Sequence, residues 1–529
     1  MGLGNFTPSL NRHPGLDPGS RLLRAGKKAG PRIKSGATGV IGGVALLVSL
    51  LATTATAQPV TPPTDTATLE AIRLIDAWAD AGQVYGRWPA YSIAIGQNGK
   101  LHWSKGYGTI DAAQKVPARG DTIYSICSIS KLFTAVAVMQ QWEAGKLRLD
   151  EPITTYLPWA APKPDGRDSV PITLRALLTH SAGVQRDSDV GNWTGPGYIF
   201  PTRDHLKAEI GQHTPLYPVG RTYQYSNVGL TLAGEAAMAV SGKDYASLVT
   251  NGIIAPLGLT DTRPDHPYAL IGTRMAVGWS PLTRAGTRTL LSRFDARAIT
   301  PAAGFTSTAE DLVRFGLWQI GLLAQDSAPA QPGVLKPSTL KEMQRIQFVD
   351  PVNDGSWGLG FFNEAAPEGH YIGHDGSCPG YHTAMLIRPD SETAVAVMTT
   401  DNHETWADTK QVHKLLDARR AHQWTKAGEP LPPIALNLED YAGRYLNNTW
   451  NNETLVLPWN GGLVTLDLPD PDAAAHLSFL KPLAKDRFRR LAKDGSAMHE
   501  VTFVRDASGR VVAKEEFYQR SVRDAGAAK

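Results

Sequence analysis

Residues 124–143 read Tyr-Ser-Ile-Cys-Ser-Ile-Ser-Lys-Leu-Phe-Thr-Ala-Val-Ala-Val-Met-Gln-Gln-Trp-Glu. From Ser128 to Trp142 the apolar residues Leu132, Val136 and Met139 recur at helical spacing, and Gly145 supplies a stop. The predicted helix therefore opens on Ser128-Ile-Ser-Lys131. Residues three apart share a helix face, so the Lys131 amine can reach the Ser128 hydroxyl. A helix N-terminus offers unpaired N–H groups and the positive end of the macrodipole. Both favour an alkoxide and an oxyanion. A lysine kept neutral by its surroundings can act as the base.

The Ser-x-x-Lys spacing is weak by itself. It recurs at Ser338-Thr-Leu-Lys341 and Ser478-Phe-Leu-Lys481, where a capped surface helix or a strand is the expected reading. Order separates the first copy from the others. Tyr225-Ser-Asn227 follows it by 97 residues, and His374-Asp-Gly376 follows that by 149. A tyrosine can shuttle a proton between serine and leaving group if nearby cations lower its pKa. Asn227 offers an amide to the substrate. Gly376 allows close backbone approach, and the Ser377 N–H can complete an oxyanion pair with that of Ser128. Tyr445-Leu-Asn447 matches the second motif by chance.

Taken in order, the three motifs resemble the serine β-lactamase and penicillin-binding-protein superfamily. The likeness is to its class C-like branch of D-alanyl-D-alanine carboxypeptidases, D-aminopeptidases and esterases. Leu177-Leu-Thr-His-Ser-Ala-Gly183, Ala303-Gly-Phe-Thr-Ser-Thr308 and Trp357-Gly-Leu-Gly360 add to it, over roughly residues 66–425. The resemblance implies an α+β fold: an antiparallel sheet flanked by helices, with a helical lobe and the serine between them. It implies Ser128 as the acylated nucleophile and Lys131 and Tyr225 as shared general base and acid. Asn227 would contact substrate, and Ser128 and Ser377 would supply the oxyanion amides. His374 would stand where class C β-lactamases carry the lysine of Lys-Thr-Gly. That departure, with Asp375 beside it, weakens attraction for a substrate carboxylate. Asp375 either faces the site or pairs elsewhere.

Other residues carry plainer readings. His180 is tempting as a triad base, but a structural hydrogen-bonding role is preferred. Trp193, Trp279, Trp318 and Trp357 are candidates for a cleft lining, against core or rim. Cys127 precedes the nucleophile and Cys378 lies two residues past Gly376. If the oxyanion amides meet, the cysteines are close; two separate buried thiols are expected, with a disulfide as the alternative. The histidines show no H-E-x-x-H spacing, so neither a metal nor another cofactor is expected. No G-x-S-x-G elbow, P-loop or dinucleotide fingerprint is present.

Outward from this core, Thr68–Ala81 has a helical period, and residues 91–107 alternate around Asn98-Gly99 as a hairpin. Thr308-Ala-Glu-Asp311 caps a helix to Leu322. Strands are expected at Tyr371–His374, His382–Ile387 and Thr393–Thr399, then a helix over 406–424. Gly428-Glu-Pro-Leu-Pro-Pro433 breaks every period and reads as a linker, 428–435. Residues 436–529 hold short strands, giving a small barrel or half-barrel. Tyr441-Ala-Gly-Arg-Tyr445 resembles the opening of the lipocalin-like domain attached to some relatives.

The 529 residues carry a net charge of +3, with 42% hydrophobic and 19% charged residues, which excludes wholesale disorder. Two cysteines exclude a disulfide-framework fold. The charge is uneven. Seven basic residues and one acid in 1–34 give +6, leaving −3 for the rest. Val40–Leu51 is an apolar run of 12 residues, short of the roughly 20 that span a bilayer. Ala55-Thr-Ala57 follows as a small-x-small cleavage site. The pattern predicts a signal peptide, 1–57, and an exported, periplasmic protein with a hydrolase domain over 58–427. Its cysteines would meet an oxidising compartment. Nothing indicates a nucleic-acid partner or a stable membrane span after processing. The expected partner is a small-molecule or peptide substrate. The expected activity is cleavage of an amide or ester bond, in a small or D-residue-containing peptide. An esterase, a β-lactamase or DD-carboxypeptidase, and a slow penicillin-recognising binding protein are the alternatives.

Overall fold

The computed structural model describes residues 59–526, apart from 165, 191–192, 326–332, 351, 353–354, 423–434, 448 and 450–452. The proposed signal peptide and most of the Pro-rich linker lie outside the described residues.

Through the first part of the chain the main elements are α1 (Thr66–Gly86), β1 (Ala90–Gln97), β2 (Lys100–Gly108), β3 (Ile123–Ser125), α2 (Ser130–Glu143) and α3 (Asn227–Ser241). Then come β4 (Thr306–Thr308), α4 (Ala309–Leu323), β5 (Phe348–Asp350), β6 (Gly355–Trp357), β7 (Phe362–Ala366), β8 (Gly369–Cys378), β9 (Tyr381–Arg388), β10 (Thr393–Thr399) and α5 (Thr405–Ala421). Eight of these strands make an antiparallel sheet in the order β2-β1-β10-β9-β8-β7-β6-β5. The expected hairpin turns at Asn98 and Gly99, both with positive φ. Thr308 caps α4 by accepting from the Asp311 N–H at 3.1 Å, as the motif predicts.

Every residue from Ala90 to Gly96 is buried because the sheet is covered on both faces. Alternate side chains go to opposite layers. Tyr91, Ile93 and Ile95 pack with Leu74, Ile75 and Trp78 of α1 and with Leu415 and Leu416 of α5. Ala90 and Ala94 join the other core, with Leu312, Val313 and Phe315 of α4. That core continues into the helical lobe around α2 and α3, so one apolar body supports both walls of the cleft.

Residues 443–523 close a barrel of eight antiparallel strands: β11 (Gly443–Leu446), β12 (Glu453–Trp459), β13 (Gly462–Leu468), β14 (Ser478–Ala484), β15 (Arg487–Leu491), β16 (Ala497–Arg505), β17 (Val511–Glu516) and β18 (Gln519–Arg523). β18 returns to β11, pairing Arg523 with Tyr445. The half-barrel alternative therefore falls. Two strands escaped the sequence reading. The Ser478–Lys481 start of β14 fits a helix or a strand equally by pattern, and β18 carries no apolar alternation because only Ser521 of its five residues is buried.

The barrel interior holds Tyr445, Val456, Phe488, Val501 and Phe503. Its outer face along β12 and β13 is apolar too: Leu455, Leu457, Trp459 and Val464 join the core under α1 and α5. Ion pairs ring that contact, among them Arg419 with Glu70 at 2.5 Å and Arg73 with Glu439 at 2.6 Å. The appended barrel thus shares a core with the sheet domain.

Candidate active site

Ser128 lies in a 3-10 turn, Cys127–Ile129, that feeds directly into α2. The expected regular helix from Ser128 is therefore tighter over its first turn. Ser130 secures this turn: its hydroxyl donates to the Cys127 carbonyl at 2.5 Å and accepts from the Phe305 N–H at 3.0 Å.

Lys131 is wholly buried. Its Nζ lies 3.1 Å from Ser128 Oγ, 2.8 Å from Asn227 Oδ1 and 2.9 Å from the Ala302 carbonyl. Asn227 is fixed in that orientation because its Nδ2 donates to Asp187 Oδ1 at 2.7 Å. Burial lowers the Lys131 pKa to about 7, against the Coulombic pull of Asp187. The neutral amine is therefore accessible near neutral pH. A neutral amine has two N–H groups and one lone pair. Asn227 Oδ1 and the Ala302 oxygen can only accept, so the lone pair is left for the Ser128 hydroxyl proton. That is the arrangement of a general base.

The Tyr225 ring adjoins the nucleophile pair: Lys131 Nζ lies 4.7 Å from its centroid, and Tyr225 lines the cleft together with Ser128. Burial raises its pKa well above the ordinary phenol range, so it is protonated at neutral pH. The condition under which the sequence gives it a shuttle role, a pKa lowered by nearby cations, is not met in the resting site. Arg186 and Lys131 do lie over its ring, at 5.3 and 4.7 Å, but desolvation outweighs them. Tyr225 therefore holds its proton in the resting site, and Lys131 is the group able to take one.

His374 sits on β8, buried, with its ring 6.3 Å from Tyr225 and 5.7 Å from Trp357. Its Nδ1 donates to the Asp375 carbonyl at 2.5 Å, which leaves Nε2 as an acceptor with no partner among the described residues. Burial depresses its pKa, so it is neutral and not a substitute for a fixed cation. Asp375, one residue on, has a side chain that is 59% exposed and lines the cleft with Ser128 and Tyr225.

Gly376 is required by packing. A Cβ there would lie 2.2 Å from the Ile126 carbonyl, so β8 can approach the nucleophile segment only without a side chain. Ser377 and Ser128 both line the cleft.

Cys127 and Cys378 are joined by a disulfide, with Cα atoms 5.7 Å apart. This corrects the expectation of two separate thiols. The approach of β8 to Ile126 brings their Cα atoms within bridging range.

His180 behaves as the preferred reading has it. Its Nδ1 accepts from the Ser226 N–H at 3.1 Å, its carbonyl accepts from the Gln224 N–H at 2.7 Å, and its ring stacks on Tyr225 at 4.4 Å. It holds the Tyr225–Asn227 segment in place. Of the four tryptophans, Trp193, Trp279 and Trp357 line the cleft. Trp318 does not; it packs on Phe315 of α4.

The sequence reading missed Asp187, Arg186, Ala302 and Glu404. Asp187 lies in a loop without local pattern, and only the fold carries it to Asn227. Among the described residues no group of three or more His, Cys, Asp or Glu is arranged to hold a metal. Nor is any described helix long and apolar enough to cross a membrane.

A buried lysine against a serine at the junction of a helical lobe and an antiparallel sheet defines the class. The sequence profile of the Beta-lactamase family matches residues 75–420, and the chain belongs to that family. Protein flp of Staphylococcus aureus strain NCTC 8325 is 24% identical over 326 residues, 60% of this chain and 61% of that protein. The chain therefore spans about three-fifths of the length of that relative. The D-alanyl-D-alanine-carboxypeptidase/endopeptidase AmpH of Escherichia coli K12 is 26% identical over 356 residues, 65% of this chain and 86% of AmpH. The octameric penicillin-binding protein homologue from Pyrococcus abyssi shares the fold, with a TM-score of 0.58 at 20% identity, covering 85% of this chain and all of that one.

Proposed function

We propose that this chain is an exported serine hydrolase that cleaves an amide or ester bond through an acyl-enzyme on Ser128. The observation that carries the reading is the Lys131 amine, its pKa near 7, with Ser128 Oγ 3.1 Å away and its other two partners acceptors only.

Lys131 takes the Ser128 proton as Oγ attacks the carbonyl carbon. The carbonyl oxygen becomes an oxyanion between the Ser128 and Ser377 amides. Tyr225 passes its proton to the departing nitrogen or oxygen and recovers one from Lys131, so the bond breaks to a neutral amine or alcohol. Water then enters, gives its proton along the same path reversed, and frees the acid from Ser128.

The carboxypeptidase/endopeptidase name of AmpH supports a peptide amide as substrate. Export is supported by the basic, apolar and small-residue order of residues 1–57 and by a disulfide that suits an oxidising compartment. Ser128→Ala tests the chemistry. It should abolish p-nitrophenyl acetate hydrolysis and labelling by a fluorophosphonate. A variant that keeps the full rate overturns the assignment.

A further inference from the structure

The cleft at Ser128 has two lobes of unlike chemistry. The first, about 500 Å³, presents Trp193, Tyr198, Trp279 and Leu291 beside the uncharged polar side chains of Thr194 and Asn402. Its one acid, Asp401, is buried and neutralised by Arg288 at 2.9 Å. The second, about 490 Å³, presents Asp375 and Glu404 between Tyr223, Trp357, Phe362 and Trp406. Tyr225, Ser128 and Ser377 also line this second lobe.

The charges around the second lobe do not cancel. Among the described residues neither Asp375 nor Glu404 has a lysine or arginine within ion-pair distance. Asp375 has the His374 ring at 3.6 Å, and burial keeps that ring neutral. Arg186 lines both lobes, but its guanidinium is 3.4 Å from Asp187 and lies over Tyr225. Lys131 lies beneath and feels the Asp375 charge, but it is buried and hydrogen-bonded to its own three partners. Two carboxylates without an ion-pair partner, set among aromatic faces in a recess, attract a cation by Coulomb and cation–π terms together.

The position of Tyr225 says which part of the substrate enters. A group that hands a proton to the leaving atom must face it, and Tyr225 forms part of this wall. We propose that the second lobe receives the leaving group and selects one bearing an ammonium or guanidinium, while the first lobe takes the acyl part. The inference rests on the acyl-enzyme reading. It sets this site against leaving groups with a free carboxylate, such as a terminal D-alanine.

Three esters sharing one acyl group test it on the full chain: N-acetyl-D-phenylalanine as its choline ester, its 3,3-dimethylbutyl ester and its carboxymethyl ester. The first two are isosteric and differ by the charge. The choline ester should exceed the neutral isostere in kcat/KM by about tenfold, the scale of one partly screened cation contact, and the carboxymethyl ester should be poorest. Asp375→Asn and Glu404→Gln should each shrink the cation preference, and the double variant should bring it close to one. Protection offers a second readout without turnover. Benzyltrimethylammonium should slow fluorophosphonate labelling of Ser128 more than neopentylbenzene does, and the double variant should lose that difference. A wild-type ratio within twofold of one, a preference for the carboxymethyl ester, or a preference undiminished in the double variant overturns the assignment. Failure of Ser128 to label at all overturns the underlying reading instead; labelling with no cation preference overturns only the lobe's role.

Discussion

A disulfide joins Cys127, the residue before the nucleophile, to Cys378, the residue after Ser377. It ties together the two segments whose amides would form the oxyanion hole. It also spans 251 residues of chain and restrains Cys127, whose φ of 48° is a costly conformation for a residue with a side chain. Replacing both cysteines by alanine should cost about 2–4 kcal/mol of stability, measured by denaturant unfolding. It should also slow fluorophosphonate acylation, because the amides are no longer held together. Two free thiols in the native, air-exposed protein would refute the bond.

Lys131 sets a pH dependence. Only the neutral amine can take the serine proton, so acylation should rise as pH climbs through about 7 and level off above it. The stability term has the same direction. The folded-state pKa is depressed from 10.5 to about 7, so between these values the unfolded chain binds more protons than the native one. Stability from this group therefore increases with pH across that window. A single-turnover labelling series from pH 5 to 9 measures the kinetic limb. A flat profile would exclude Lys131 as the base.

Asp187 should tune that limb. Its charge raises the Lys131 pKa, and its carboxylate orients Asn227 at 2.7 Å. Asp187→Asn should move the acid limb to lower pH while also lowering the plateau through a loosened Asn227. A limb that moves upward contradicts the assignment.

Gly376→Ala probes the approach of β8 to the nucleophile. The new Cβ would meet the Ile126 oxygen at 2.2 Å, and backbone must shift to relieve it. The cost should be about 1–3 kcal/mol in stability, with a disproportionate fall in kcat because the two oxyanion amides separate. Thermal unfolding and p-nitrophenyl acetate kinetics on the same sample give both numbers.

Trp459 tests the fusion of barrel and sheet domain. It is fully buried under α1 and α5, with Arg419 5.8 Å from its ring. Trp459→Ala should cost about 3–5 kcal/mol. Unfolding of the wild type should be one cooperative transition, since the barrel and the sheet share a core. Two well-separated transitions in calorimetry would count against that shared core.

Much of the fold could be read directly. The hairpin at Asn98-Gly99, the cap at Thr308 and the strands from 371 to 399 are local patterns, and local backbone preference decides them. The order Ser128, Lys131, Tyr225, His374 likewise names a site from residue types alone. The closure of the barrel was not legible, because β18 alternates weakly and its pairing with β11 joins residues about 80 apart.

What the sequence by itself determined is the chemistry on offer: a serine three residues before a lysine, a tyrosine and asparagine, a glycine where backbone must pass closely, and two cysteines. Tertiary structure alone decided how that chemistry is poised. Burial makes Lys131 a base near neutrality and keeps the Tyr225 phenol protonated although two cations lie over its ring. Close passage of β8 turns two cysteines into a bond. Asp187 reaches Asn227, and Asp375 and Glu404 meet in one lobe, only through the folded chain. The reason is physical: helical spacing and turn chemistry act over a few residues, whereas desolvation and Coulomb terms depend on which distant segments the fold packs together.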